Sequence, residues 1–307
     1  MDAMNFEHHD ITVAMLRRSL FAVPFLTRLL RAKQRELRLS VRVEPLFPGL
    51  TLAQQIEKVA AAGYQAFEFG DWRVADARQI TALKNKLGLQ CANLVGNKSV
   101  NPQGMGLCNP AEREGFLAEI RASLDAAKRF EAKQMVVLSG FKVAALSRQQ
   151  QHASIVEGLK RAHDIVAREG VTMILEVINT LAKIEPLNPK GNNHADYYLD
   201  HTGEAFDIVR EVGGSNLKIL FDLYHVQIME GNLIETLTAN IAQIGHFHVG
   251  DVPLRHEPGT GEIHYENVFR AISGSGYEGF VGMEYIPTKD AMQTLTEVRA
   301  MARRAAR

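Results

Sequence analysis

The sequence predicts a (β/α)₈ TIM barrel of one domain with an N-terminal extension. Three observations carry this: short β-rich apolar runs alternate with longer helical patterns from Leu37 onward, eight such runs can be counted, and no linker divides the 307-residue chain. Strands alternating with helices mark repeated βα units around a parallel sheet, and barrels of this kind run to about 250 residues as one domain.

The eight predicted strands are Leu37 to Glu44, Ala66 to Phe69, Gln90 to Leu94, Gln134 to Leu138, Thr172 to Glu176, Leu217 to Asp222, Ile244 to His248 and Gly279 to Glu284. Helical spacing of apolar residues predicts helices over Leu52 to Ala62, Glu112 to Phe130, Ser154 to Glu169 and Leu233 to Ile241. Gly63, Gly88, Gly170 and Gly245 are expected to close helices, because glycine tolerates the left-handed residue that ends them. An open doubly wound sheet would more often carry a Gly-rich phosphate turn after its first strand, and Leu46-Phe47-Pro48-Gly49 is not that turn. The barrel domain is accordingly placed at residues 37–307. Two connections are long, Val177 to His201 and Gly250 to His264, and long loops in compact domains are usually functional.

Residues 1–36 are set aside as an N-terminal extension. Arg17-Arg18-Ser19-Leu20-Phe21 followed by Ala22 to Leu26 starts like a twin-arginine export signal. Arg28 and Arg31 interrupt the apolar stretch, however, and no small-x-small cleavage site precedes the basic run Arg31 to Arg38. The favoured reading is an outer helix or extension of a cytoplasmic protein, with export as the alternative. No segment approaches the roughly 18 apolar residues of a membrane span.

Composition narrows the function classes. Lys plus Arg (35) equals Asp plus Glu (35), so no global field favours nucleic acid or an anionic membrane. Two cysteines, Cys91 and Cys108, have no CxxC spacing and read as reduced structural thiols. The expected partner is a small molecule held at a local site; the chain can act alone or as a homo-oligomer.

That site is expected at the C-terminal ends of the strands, where barrel side chains converge. Four consecutive strands end there in metal-ligand types: Glu176, Asp222, His248 and Glu284. Three carboxylates facing one another require a positive partner. One divalent ion satisfies this, and hard oxygens with one imidazole suit Mn²⁺ or Mg²⁺, with Co²⁺ or Zn²⁺ as substitutes. His246 and His248 share a strand face; the more C-terminal His248 is assigned as ligand, and His246 as a barrel-interior residue behind it. His225, three residues after Asp222, can reach the site and polarise a substrate oxygen, or else cap the following helix.

The run Ile244-Gly245-His246-Phe247-His248-Val249-Gly250-Asp251-Val252-Pro253-Leu254-Arg255-His256-Glu257-Pro258-Gly259-Thr260-Gly261-Glu262-Ile263 closely resembles the hydroxypyruvate isomerase family. Gly276 to Tyr285, Leu175-Glu176 with Asn179, and Phe221-Asp222-Leu223-Tyr224-His225 fit the same family, within the xylose-isomerase-like barrels that include ketose 3-epimerases. The resemblance implies a metal-dependent isomerase of carbohydrate metabolism that interconverts hydroxypyruvate and tartronate semialdehyde through a cis-enediolate. It implies Glu176 and Glu284 as the acid/base pair and His225, Arg255 and Asn179 as substrate contacts. Many members carry Gln where this chain has His248, and an arginine where it has Thr180-Leu181; His248 is closer to the ketose epimerase pattern. The stretch Lys183 to Asp200 is also atypical. The alternatives are a ketose 3-epimerase or other sugar isomerase, then an apurinic endonuclease-like or non-catalytic sugar-binding barrel. Arg255 is the residue that separates a carboxylate substrate from a neutral sugar, unless it merely pairs with Glu257 or Glu262.

Overall fold

A computed structural model describes residues 34–97, 106–182, 186–187 and 194–307. The twin-arginine motif of the N-terminal extension and much of the 183–200 stretch lie outside the described residues. Eight parallel strands close into one barrel in sequence order. They are β1 (Arg38–Arg42), β2 (Ala66–Phe69), β3 (Gln90–Val95), β4 (Gln134–Val137), β5 (Thr172–Glu176), β6 (Leu217–Asp222), β7 (Ile244–Val249) and β8 (Phe280–Met283).

The expected strands stand within a residue or two of these bounds. The largest difference is at the first, which stops at Arg42 and passes into the helical turn Val43–Leu46. Pro45 lacks the N–H that a ladder position would donate, which favours ending the strand there. The helix expected over Ser154 to Glu169 instead spans Arg148–Val166, because Ser147 and Gln150 form a reciprocal capping box that starts it earlier. Gly245 does not end a helix. It lies in β7, where an added Cβ would stand 2.9 Å from both Ile174 Cγ2 and Lys218 Cβ, so it serves close strand packing. Gly63, Gly88 and Gly170 do take the left-handed conformation after their helices.

Packing follows from patterning. The helices Leu52–Ala61, Arg113–Phe130 and Ala291–Ala305 bury one face, through Ile56 and Val59, Phe116, Ile120 and Phe130, and Leu295 and Val298. The inside of the barrel departs from the usual aliphatic filling. Ser40, Glu68, Asn93, His246 and His248 are buried together there. Gly282 makes room for them: a Cβ on it would lie 2.3 Å from Glu68 Oε1 and 2.9 Å from His246 Nε2. A cleft lined by Gln134, Thr172, Lys218 and Tyr277 opens at the opposite, N-terminal end of the strands, away from the end where barrel chemistry sits. Among the described residues no helix is long and apolar enough to cross a membrane.

Candidate active site

Glu176 and Asp222 are the last residues of β5 and β6, His248 is the penultimate residue of β7, and Glu284 follows β8 directly. Ladder register sets Asp222 opposite His248, and His248 opposite Gly282. One donor atom from each of the four lies within 4.8 Å of the others. His248 Nδ1 is 2.7 Å from Glu284 Oε2, 3.7 Å from Glu176 Oε1 and 3.8 Å from Asp222 Oδ2. The ring nitrogen thus faces all three carboxylates, yet among the described residues it makes no hydrogen bond of proper geometry. Three oxygens and one imidazole nitrogen converge in a buried site; although burial disfavours its charge, Glu284 and Glu68 hold the His248 ring well above its ordinary value, and a divalent cation fits the place of the proton on Nδ1.

The orientation of His248 comes from a residue that the sequence reading missed. Glu68, from the middle of β2, is fully buried and accepts hydrogen bonds from four side chains. Its Oε1 takes Ser40 Oγ and His246 Nε2, the latter at 2.9 Å; its Oε2 takes Asn93 Nδ2 at 2.8 Å and His248 Nε2 at 2.9 Å. A carboxylate only accepts, so both histidines carry a proton on Nε2, and His248 is left with Nδ1 to offer the centre. Burial disfavours the charge on Glu68, but His246 and His248 outweigh it and hold its carboxyl well below the ordinary range. The available signal was a lone carboxylate in the apolar strand Ala66-Phe67-Glu68-Phe69, which is costly unless it is bonded. His246 stands where expected, inside the barrel behind His248, with the two rings edge to face at 5.1 Å.

Asp222 divides its two oxygens. Oδ1 caps the helix Leu223–Met229 by accepting from Tyr224 N (2.9 Å) and His225 N (3.3 Å), while Oδ2 faces the cluster. The capping role considered for His225 therefore belongs to Asp222, and the imidazole is free to enter the site. Burial pushes the His225 ring down to about 3, so it is neutral. Its Nε2 meets Arg255 Nη1 at 3.0 Å and its Nδ1 meets the Asn179 amide nitrogen at 2.6 Å, with Asn179 Oδ1 already accepting from Ala182 N. A neutral imidazole accepts one hydrogen bond, so the two donors compete for it and one can serve a substrate oxygen.

Arg255 is buried at 1% exposure although it comes from a loop. It does not pair with Glu257, which holds Thr288, or with Glu262, which holds Gln227. Its Nη2 bonds Asp222 Oδ2 (2.5 Å) and Glu284 Oε2, and its Nε bonds the Glu284 carbonyl at 3.1 Å. Gly250 admits it, since a Cβ there would lie 2.8 Å from Arg255 Cγ.

These charges make the two glutamates unequal. Burial raises Glu176, and Glu284 and Asp222 add to the rise against the pull of His248. At Glu284 burial is outweighed by His248 and Arg255, and the carboxyl sits well below the ordinary range. For Asp222 burial is likewise outweighed, chiefly by Arg255. Such separation of neighbouring carboxyls suits proton transfer.

Fold and site together define a (β/α)₈ barrel whose C-terminal rim carries an acidic, single-imidazole cluster positioned to hold a metal. Residues 56–304 match the model of the xylose isomerase-like TIM barrel family. The chain belongs to that family and, within it, to the hydroxypyruvate isomerases. It is 34% identical over 268 residues to hydroxypyruvate isomerase of Escherichia coli, covering 85% of this chain and 96% of that protein. It is 32% identical over 231 residues to 2-oxo-tetronate isomerase of Cupriavidus necator, covering 74% and 84%. A crystal structure of an AP endonuclease, family 2, from Brucella melitensis superposes with a TM-score of 0.77 at 24% identity, covering 86% of this chain and 98% of that one, and shares the fold.

Proposed function

We propose that the chain isomerises a small hydroxy-keto acid of the hydroxypyruvate type, using one divalent metal, Mn²⁺ or Mg²⁺, held by Glu176, Asp222, His248 and Glu284. The convergence of these four donors within 4.8 Å carries the reading. The bound cation supplies Lewis-acid polarisation of the substrate oxygens. Glu176 and Glu284 are the proton-transfer pair: one takes the proton from the carbon beside the carbonyl and the other delivers one to the neighbouring carbon. Arg255 holds the substrate carboxylate and His225 and Asn179 orient its oxygens, while the buried walls exclude water.

Two relatives named for keto-acid isomerisation support the carboxylate substrate over a neutral sugar. A ketose 3-epimerase is the second reading, favoured by His248, where many hydroxypyruvate isomerases have Gln. An endonuclease reading gains nothing beyond fold from its likeness, and a chain of balanced charge lacks the excess of cations that DNA phosphates demand. The test is a panel of hydroxypyruvate, four-carbon keto acids and ketoses in deuterated water with Mn²⁺ or Mg²⁺. Deuterium should enter the keto acid in the wild type and not in Glu284→Gln; exchange into ketoses alone would move the assignment to the epimerase.

A further inference from the structure

Glu176, Asp222, His248 and Glu284 line the half of the barrel mouth formed by β5 to β8, and β1, the next strand around the ring, ends in a charge that none of them binds among the described residues. Arg42 is the last residue of that strand. Side chains two apart on a strand share a face, and Ser40 turns into the barrel to meet Glu68, so Arg42 turns the same way one layer nearer the rim. The ladders pair Arg42 with Glu68 and Val41 with Met283, which sets Arg42 beside Glu284, the residue after Met283. Its side chain is only 16% exposed.

The guanidinium is anchored through its inner nitrogen. Arg42 Nε stands 2.8 Å from Glu44 Oε2, and Glu44 Oε1 accepts from Gly70 N, so the carboxylate is fixed from both sides. Neither terminal nitrogen of Arg42 has a hydrogen-bond or ion-pair partner among the described residues. Gly70 leaves room for them, since a Cβ on it would stand 2.5 Å from Arg42 Nη2 and 3.5 Å from Cζ. Burial disfavours the charge, but Glu44, Glu284, Glu68 and Glu176 outweigh it and raise the pKa, so the fork of two donors stays charged. A rim ion pair by itself is worth little and requires neither burial nor a glycine opposite the fork.

Arg255 is differently engaged, its Nη2 committed to Asp222 and Glu284 and its Nε to the Glu284 carbonyl. The two arginines also stand on different sides. Asn179, His225 and Arg255 follow β5, β6 and β7, whereas Arg42 and Gly70 end or follow β1 and β2, which in a closed ring of eight lie across from β5 and β6. A hydroxy-keto acid with its carboxylate on Arg255 and its two reacting carbons at the cluster continues, beyond the second of those carbons, away from Arg255. The group it carries there approaches Arg42. Two parallel N–H donors on a charged fork match the paired oxygens of a carboxylate or a phosphate, and a lone hydroxyl meets only half of them.

We propose that Arg42 is a specificity residue that binds a second acidic group, a carboxylate or a phosphate, at the far end of the substrate, so that the site prefers a dianionic hydroxy-keto acid to hydroxypyruvate. This rests on the keto-acid reading above, and the experiment separates the two. Calorimetry with Mn²⁺ bound compares three unreactive acids that share one carboxylate and two adjacent hydroxyls and differ at the fourth carbon: erythronate with an alcohol, meso-tartrate with a carboxylate and 4-phosphoerythronate with a phosphate ester. Each is titrated into wild type, Arg42→Gln and Arg42→Lys, with thermal melts to show that the variants are folded. Deuterium exchange into hydroxypyruvate is run alongside.

Wild type is expected to bind meso-tartrate or 4-phosphoerythronate at least about tenfold more tightly than erythronate, the low end for a charge-assisted contact. Whichever of the two gains names the acidic group. Arg42→Gln should lose the preference with erythronate affinity held within about twofold, and Arg42→Lys, which keeps the charge without the fork, should keep part of it. Equal affinity for all three acids in the wild type overturns the proposal, as does a preference that survives in Arg42→Gln or an equal loss for all three acids there, which would mark a structural role. If hydroxypyruvate does not exchange while the preference depends on Arg42, the reaction assignment falls and the anion site stands. Exchange without the preference gives the reverse.

Discussion

Replacing Glu68 with glutamine alters the centre without touching any donor atom that faces it. The carboxylate serves Ser40 and His246 with one oxygen and Asn93 and His248 with the other. The amide nitrogen of the introduced glutamine would settle toward Ser40 and His246, because the hydroxyl can rotate to accept and His246, whose Nδ1 has no partner among the described residues, can move its proton there. His248 would keep its direction but exchange a charged acceptor for a neutral one. Charge-assisted hydrogen bonds are worth about 1.5–3 kcal/mol and neutral ones about 0.5–1.5 kcal/mol, so the imidazole should lose about 1–1.5 kcal/mol of support. That corresponds to about tenfold in Mn²⁺ affinity, at the low end of the roughly 10–100-fold typical of partners behind metal ligands. The assay is calorimetric titration of Mn²⁺ into metal-free wild type and Glu68→Gln, with thermal melts to show that both are folded. An affinity within twofold of wild type would refute the tautomer argument.

Arg255→Lys should lower kcat/KM for hydroxypyruvate by about 1.5–3 kcal/mol in transition-state binding, since an ammonium cannot bridge Asp222, Glu284 and His225 at once; steady-state kinetics on hydroxypyruvate beside a neutral ketose check it, and an unchanged keto-acid value opposes it. Gly250→Ala would press its new methyl on Arg255 Cγ and on the Glu284 carbonyl, 2.8 and 3.0 Å away. Turnover should fall far more than the about 1–3 kcal/mol of stability that overpacking costs, a contrast that melting curves and kinetics measured together reveal. At the surface, burial lowers the pKa of His152, but Glu211 and Glu204 outweigh it and raise it above 6.5. Its contribution is complete below that ordinary value and is lost as pH rises through the raised folded value. His152→Gln should therefore depress the melting temperature more at about pH 5.5 than at about pH 9; equal depression at both would discount the pairing.

The strands were legible because a parallel barrel buries both faces of each, and runs such as Met173-Ile174-Leu175 admit few other readings. Glu176, Asp222, His248 and Glu284 were legible for the complementary reason, each being a polar break at the end of such a run. Helix starts were less so: Ser147 caps its helix through Gln150, a local pairing that apolar spacing does not register. Arg255 showed its type but not its direction, since only the packed loop tells Asp222 and Glu284 apart from Glu257 and Glu262 as partners. Glu68 showed itself only as a polar break inside β2. The histidines it holds, His246 and His248, are 178 and 180 residues further along the chain, so nothing near it in sequence announces what it meets.

The polar stack inside the barrel bears on how such a protein can change. In a barrel plugged with aliphatic side chains, the interior can be repacked for stability while the rim is altered for chemistry, and the two problems separate. Here Ser40, Glu68, Asn93 and His246 lie beneath His248 as one bonded unit with Gly282 holding the space open, so interior and rim are a single electrostatic object. A stabilising search that inserts Val or Leu at these depths would unseat His248 even where volume is conserved. The positions open to independent stabilisation are the outer helices and the N-terminal ends of the strands.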